Sequence, residues 1–326
     1  MLKTRLTEMF GVKTPIVMGG MTGVGYGDLV AAVANAGALG FITAHMFQTA
    51  EDLMKEIQRT KDQTDQPFGV NLTILPSLNP IPYDEYRRAI IEGGVKIVET
   101  AGRNPEPHLP DFKANGVKVI HKCTSARHAV TAERVGVDVI SIDGFECAGH
   151  PGEDDVTLIV LLPSTCDQVS IPVIASGGMA DGRSLIAALA LGADGVNMGT
   201  RFIATKEAKV HENVKQAIVN MSERDTVLIN RTLKNTSRVA KNAVSLEVAK
   251  IQQDPTKTIE DVRELVAGVR GRANVLGAGD IDGGIWTVGQ SQGLIHDVPT
   301  CKELVARIMA QAEDVIHKRL DKFAAA

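Results

Sequence analysis

Residues 171–200 read IPVIASGGMADGRSLIAALALGADGVNMGT. A short β-branched run, 172–176, ends on Ser176-Gly177-Gly178; an alanine-rich helical stretch follows over 182–190; a second apolar run, 195–199, ends on Gly199-Thr200. This is a strand–helix–strand unit, and apolar runs without alternation are those of a parallel sheet buried on both faces. Working back toward the start, similar runs occur at 16–19, 39–43, 68–73, 97–100, 118–123 and 139–143. They stand roughly 20–30 residues apart, with helical stretches between them such as 28–36, 50–63, 83–92 and 126–135. Eight successive βα units predict a (β/α)8 barrel. An open doubly wound sheet is the alternative, although no GxGxxG follows the first run.

Beyond residue 206 the alternation stops. Residues 207–290 are more polar and predict helices at 213–221, 225–233, 243–252 and 259–267, a small and mainly helical cap. The last segment, 291–326, predicts a long amphipathic helix over 302–323, with Leu304, Val305, Ile308, Ala312, Val315 and Ile316 turned back onto the barrel. The expected division is therefore 1–206, 207–290 and 291–326.

Composition sets the class. The 326 residues are 44% hydrophobic and 23% charged with 31 glycines, ample for a packed core. A formal net charge of −4 argues against a nucleic-acid or anionic-membrane surface. Cys123, Cys147, Cys166 and Cys301 are widely spaced and lack zinc-ligand spacing, so neither a disulfide scaffold nor a metal site is expected. The N-terminal stretch lacks the apolar region of a secretion signal, and no uncharged apolar run reaches membrane-spanning length. A cytoplasmic protein is expected; monomer and homodimer both stay open.

In a barrel the chemistry gathers where the strands end. Those exits carry Gly19-Gly20-Met21-Thr22, Asn71-Leu72-Thr73, Glu99-Thr100, His121-Lys122, Asp143-Gly144, Ser176-Gly177-Gly178 and Met198-Gly199-Thr200. The glycines after the seventh and eighth strands are either a phosphate-binding pair or two tight βα turns. Lys122 reads as a cation beside an anionic ligand, as a Schiff-base lysine, or as an ion-pair partner of Asp143 or Glu99. His150 lies between Gly149 and Gly152 in an irregular loop and could act as a general base or hydrogen-bond donor, or be an ordinary loop histidine. Cys147 nearby lacks an obvious activating partner. Glu153, Asp154 and Asp155 read as an acidic cluster at a helix start, not as metal ligands. The proline-rich stretch 75–82 reads as a stiff lid. Arg231, Lys234, Arg238 and Lys241 fall at helical spacing and predict one basic face, either solvated or contacting a dinucleotide phosphate.

Six of these segments, in order, resemble one family: Gly19-Gly20-Met21, Phe68-Gly-Val-Asn-Leu-Thr73, His121-Lys-Cys123, Gly144-Phe-Glu-Cys-Ala-Gly-His-Pro-Gly152, Ile174-Ala-Ser-Gly-Gly178 and Asn197-Met-Gly-Thr-Arg-Phe202. Gly284-Ile-Trp286 and Gln292-Gly-Leu-Ile295 extend the match. The family is the nitronate monooxygenase (2-nitropropane dioxygenase) group of FMN barrels, and the subgroup most similar is that of bacterial NADH:quinone reductases. The resemblance implies FMN, with Gly20, Met21 and Thr22 against the ring system, Thr73 at its polar edge and Lys122 near N1 and O2. It implies backbone contact from Ala148, and a phosphate held by Ser176, Gly177, Gly178, Gly199 and Thr200. His150 would stand at the flavin face as a base or positioning group. The implied activity is NAD(P)H:quinone reduction by ping-pong hydride transfer, with NAD(P)H entering between barrel and cap. Oxidation of alkyl nitronates with O2 is the alternative, and enoyl-acyl-carrier reduction the third reading. On the residues alone a non-redox phosphate-binding barrel, an aldolase or isomerase, also stays open.

Overall fold

The computed structural model describes residues 2–74 and 81–324. Eight parallel strands close into a barrel in sequence order: β1 Ile16–Met18, β2 Leu39–Thr43, β3 Gly69–Ile74, β4 Ile97–Gly102, β5 Lys118–Cys123, β6 Val139–Asp143, β7 Val173–Ser176 and β8 Gly195–Asn197. The ring shuts where β1 pairs with β8, Ile16 opposite Val196. The predicted (β/α)8 barrel is the observed fold, and the open-sheet alternative falls.

Two apolar layers hold the barrel. Outside, the strands pack on helices that include Gly27–Asn35, Ala50–Lys61 and Gly182–Ala190. Inside, Val17, Leu39, Phe41, Ile97, Ile120, Val139 and Ile174 fill the lower interior. An N-terminal helix, Arg5–Phe10, closes that end with Leu6 and Phe10. Its Arg5 forks onto Asp194, Nε to Oδ1 2.9 Å and Nη2 to Oδ2 2.7 Å. Side chains alternate along each strand, so the inward positions above this apolar layer are Asn71, Glu99, Lys122, Ser141, Asp143, Ser176 and Asn197. The upper interior is therefore polar.

After β8 come a short helix, Thr200–Ile203, and a longer one, Glu212–Asn220. The segment predicted as a helix over 225–233 is instead a strand and a turn. β9, Thr226–Ile229, pairs antiparallel with β10, Ser237–Ala240, and the connection runs through a 3₁₀ turn, Arg231–Leu233. Asn230 (φ 61°) and Lys234 (φ 50°) adopt left-handed backbone at either end of that turn, which no continuous helix permits. The basic face consequently does not exist. Arg231 and Lys234 lie on the turn, Arg238 is buried on β10, and Lys241 follows β10. The hairpin and the helices Ala243–Ile251 and Ile259–Val266 share a small apolar cluster of Ile229, Val239, Val248 and Val262.

Helix Cys301–Asp314 buries Leu304, Val305, Ile308 and Ala312, and packs on Gly182–Ala190. Contact is close: a Cβ on Gly182 would lie 2.4 Å from Ile308 O, and Gln311 Oε1 accepts the Gly182 N–H at 2.8 Å. Among the described residues no helix is long and apolar enough to cross a membrane. Of the predicted lid, residues 75–80 lie outside the described residues; Ile81 and Pro82 precede helix Tyr83–Glu92.

Candidate active site

The polar layer is a connected network. Glu99 is buried and its Oε1 accepts from Gly20 N–H at 2.9 Å and from Asn71 Nδ2 at 2.7 Å. Asn71 Oδ1 in turn accepts from Thr73 Oγ1 at 3.0 Å. On the other side Asn197 Oδ1 accepts the Gly19 N–H at 2.8 Å, and its Nδ2 donates to Ser176 Oγ at 3.1 Å. These bonds draw the loop after β1 across the barrel mouth. Gly20 passes so close to Asn71 that an added Cβ would lie 2.3 Å from Asn71 Cβ, so only glycine fits. Met21 follows, its N–H on Thr43 Oγ1 at 2.9 Å, and Thr22 is exposed in the next turn.

Lys122 rises from β5 into this layer with Nζ 3.4 Å from Asp143 Oδ1. Burial alone would lower its pKa, but the carboxylates of Asp143 and Glu99 hold it above the ordinary lysine value. Lys122 thus carries a permanent charge, and the Schiff-base reading, which needs a neutral amine, is disfavoured. Two buried oxygens of the layer, Ser141 Oγ and Asp143 Oδ1, make no aligned hydrogen bond. Asp143 Oδ1 still has the Lys122 ammonium as its ion-pair partner, whereas Ser141 Oγ has none, and a buried oxygen without a partner is uncommon in a finished core. His121 points outward instead and bonds Thr100 Oγ1 at 2.8 Å; burial brings its pKa down to about 4. Burial together with Asp143 raises the pKa of the Cys147 thiol, the opposite of what a nucleophile needs.

At the ends of β7 and β8 the backbone is free to bind. Gly177 (φ 96°) and Gly178 (φ 75°) are consecutive left-handed residues. Among the described residues the amides of Gly177, Gly178, Gly199 and Thr200 donate to no protein group, and neither does that of Ala148. Successive free N–H groups on a left-handed turn form an anion-binding concavity. Thr200 Oγ1 accepts the Gly289 N–H at 3.0 Å. The neighbouring Arg201 does not serve this concavity: it turns away to Asp297 and the Ala204 carbonyl.

The loop after β6 carries His150 to the rim, where the residue remains accessible while crowding by protein lowers its pKa below the usual histidine value. That loop is fastened to the β9–β10 hairpin. Gly149 and Arg238 form a β-bridge, Gly149 N–H to Arg238 O 3.0 Å and Arg238 N–H to Gly149 O 2.6 Å. Glu153 accepts from Thr236 N–H at 2.9 Å and from its hydroxyl at 2.5 Å, and Asp155 pairs with Arg231 through two bonds of 3.0 and 2.7 Å. Glu153 and Asp155 are therefore ties to the hairpin and not the helix-start cluster the sequence suggested.

The barrel mouth thus brings together Gly20, Met21, Thr73, Lys122, Ser176, Gly177, Gly178, Gly199 and Thr200, with Thr22, Ala148 and His150 on its rim. Sequence reasoning named Asp143 and Glu99 as ion-pair partners of Lys122, a reading the Lys122–Asp143 pair bears out, but gave Asn71 no role beyond a strand exit and missed Ser141 and Asn197. Their signal was a polar residue at an inward position near the end of each strand, readable only once the strand phase is known. A separate cleft of about 680 Å³ opens at the N-terminal end of the strands, beside Phe10, Lys61, Phe68, Lys96 and Lys118, and shares no residue with this layer.

With this geometry in hand, comparison with known proteins is informative. A dehydrogenase of (3aS,4S,5R,7aS)-5-hydroxy-7a-methyl-1-oxo-octahydro-1H-indene-4-carboxyl-CoA from Rhodococcus jostii (strain RHA1) is 35% identical, covering 99% of this chain and 98% of the relative. A Staphylococcus aureus (strain Newman) protein described as "Probable nitronate monooxygenase" is 34% identical over 84% of this chain and 88% of its own length. Among solved structures, FabK from Thermotoga maritima superposes with a TM-score of 0.90 at 37% identity, covering 99% of this chain and 100% of that one. The sequence model named Nitronate monooxygenase matches residues 3–311. A closed barrel with polar strand exits, matched by that model nearly end to end, makes this chain a member of the nitronate monooxygenase family of oxidoreductases.

Proposed function

We propose that the protein is an FMN-dependent NAD(P)H:quinone reductase. The observation that carries the cofactor is the set of free amides at Gly177, Gly178, Gly199 and Thr200, which fit a phosphate. The unmatched Ser141 Oγ fits a polar edge of a ring system above the layer. These features suit FMN better than a bare sugar phosphate, because the polar layer extends across the mouth from β3 to β8. FMN, when bound, supplies two-electron chemistry between the two substrates, which the side chains themselves do not perform.

The chain's own residues bind and orient. Ser176, the free amides and Thr200 would hold the phosphate. The backbone of Gly20, Met21 and Thr22 and the Ala148 amide would flank the ring, and Thr73 would meet its polar edge. Lys122 would place a positive charge near the bound ring system, favouring its reduced form. His150, neutral at pH 7, orients the incoming substrate and can take or return a proton at the rim. NAD(P)H and the quinone use the same mouth in turn, so neither needs a second pocket.

The runner-up, oxidation of alkyl nitronates with O2, is favoured by the neutral imidazole of His150, a suitable base, and by the Staphylococcus relative's description. Initial rates with NADH and benzoquinone varied together distinguish the two. Parallel double-reciprocal lines are expected for the quinone reductase. Nitronate-dependent oxygen uptake without NADH:quinone turnover overturns it.

A further inference from the structure

Arg238 is 3% exposed, yet among the described residues it pairs with no carboxylate. Its Nε and Nη2 both donate to Phe145 O, at 3.2 and 2.9 Å, and its Nη1 donates to Thr226 Oγ1 at 2.8 Å. The guanidinium also lies 4.5 Å from the centroid of the Phe145 ring. Burying a cation whose direct hydrogen-bond partners are all neutral is costly, and burial lowers its pKa even with the Glu146 and Asp155 carboxylates acting on it from nearby. The carbonyl it grips opens the loop that carries Ala148 and His150.

The other ties of this stretch are Phe145 N–H to Val156 O, Cys147 N–H to Gly144 O, the Glu146 carboxylate on Leu158 N–H, and Gln290 N–H to Glu146 O at 3.1 Å. Much of its remaining shape comes from the hairpin, through Gly149, Glu153 and Asp155. Asp155, Asn230 and Lys234 are the only non-glycine residues with left-handed backbone among the described ones, and all three sit at this junction. Backbone of that kind persists where surrounding contacts over-determine it.

We infer that Arg238 is a positioning residue: anchored on the β9–β10 hairpin, it fixes through Phe145 O the loop that presents Ala148 and His150, without itself touching substrate. The inference rests on the reading of His150 as the group at the reacting face.

Arg238→Met and Arg238→Lys test it in the flavin-loaded protein. Both keep the backbone bridge to Gly149, and both lose the fork on Phe145 O, which a single ammonium cannot reproduce. Should the Met variant fail to fold, the Lys variant keeps the buried charge and carries the test. Hydrogen exchange across residues 144–157 is expected to rise about tenfold or more while the barrel strands stay protected. Turnover per KM, referred to the flavin-loaded fraction, is expected to fall about 10- to 100-fold. Its acid limb should move up toward the ordinary histidine value as the imidazole gains solvent. In a His150→Ala background, Arg238→Met is expected to cost less than about twofold more, because it acts through the removed group. Unchanged exchange in 144–157, or a fully multiplicative loss in the double variant, overturns the inference. Wild-type turnover in His150→Ala alone sinks the reading of His150, and the exchange measurement then still decides whether Arg238 holds the loop.

Discussion

Lys122 and Asp143 face each other from adjacent strands at the barrel mouth, Nζ to Oδ1 3.4 Å, with the Glu99 carboxylate also acting on the ammonium. Two carboxyl groups and one ammonium share a largely buried layer, so the lysine is held charged by its neighbours.

Replacing Lys122 by Met should therefore be felt twice. Removing the one cation leaves buried carboxylates uncompensated, a loss of about 3–5 kcal/mol in urea unfolding. The midpoint potential of the bound flavin should also fall, because the charge that favours its reduced form is gone. Asp143→Asn in the same chain should restore part of the stability and none of the potential. Wild-type values of both in Lys122→Met would remove the lysine from its assigned role.

Gly178→Val tests the phosphate concavity. At φ 75° a β-branched residue is strained, and the turn must shift its amides to relieve it. FMN affinity is expected to fall about tenfold more than riboflavin affinity, a difference of about 1.4 kcal/mol. Equal losses for the two ligands would show that the amides do not read the phosphate.

Ser141→Ala separates a vacant polar group from a merely buried one. The hydroxyl oxygen has no protein partner to lose, so apoprotein stability should change by less than about 1 kcal/mol. FMN affinity should fall several-fold. Equilibrium dialysis with unchanged affinity would place the hydroxyl outside the cofactor site.

His121 gives a pH signature of stability. His121 Nδ1 shares a 2.8 Å hydrogen bond with Thr100 Oγ1, which also lies 3.2 Å from Ile120 O, and burial disfavours the charged ring. The folded pKa of about 4 lies below the unfolded value of about 6.5, so the unfolded chain binds the proton more readily. Stability is complete above about pH 6.5 and drains away as pH falls toward 4, on the order of 3 kcal/mol in all. His121→Asn, which can keep the bond to Thr100, should flatten that part of the profile. Urea midpoints that track each other between pH 7 and 4 in both proteins would contradict it.

The barrel and much of its mouth were legible in the chain because the signals are local. Each strand is an apolar run closed by glycine or a polar residue, and Gly177-Gly178 and Gly199-Thr200 stand where the fold puts a phosphate. Ser141 and Asn197 were harder, since strands buried on both faces hide the alternation that would reveal which side points inward. The stretch 225–233 was misread because four strand residues show too little periodicity to oppose a helical spacing of charges; the partner strand decides the matter. The ties of Glu153 to Thr236 and of Asp155 to Arg231 span about eighty residues of chain, and no local pattern announces them.

The most direct test of the central claim is anaerobic mixing of the flavin-loaded protein with NADH, NADPH or propyl-3-nitronate, followed by flavin absorbance. Rapid bleaching by a reduced nicotinamide, reversed on adding quinone, with no bleaching by the nitronate, is the expected result. Bleaching by the nitronate and by neither nicotinamide would contradict it.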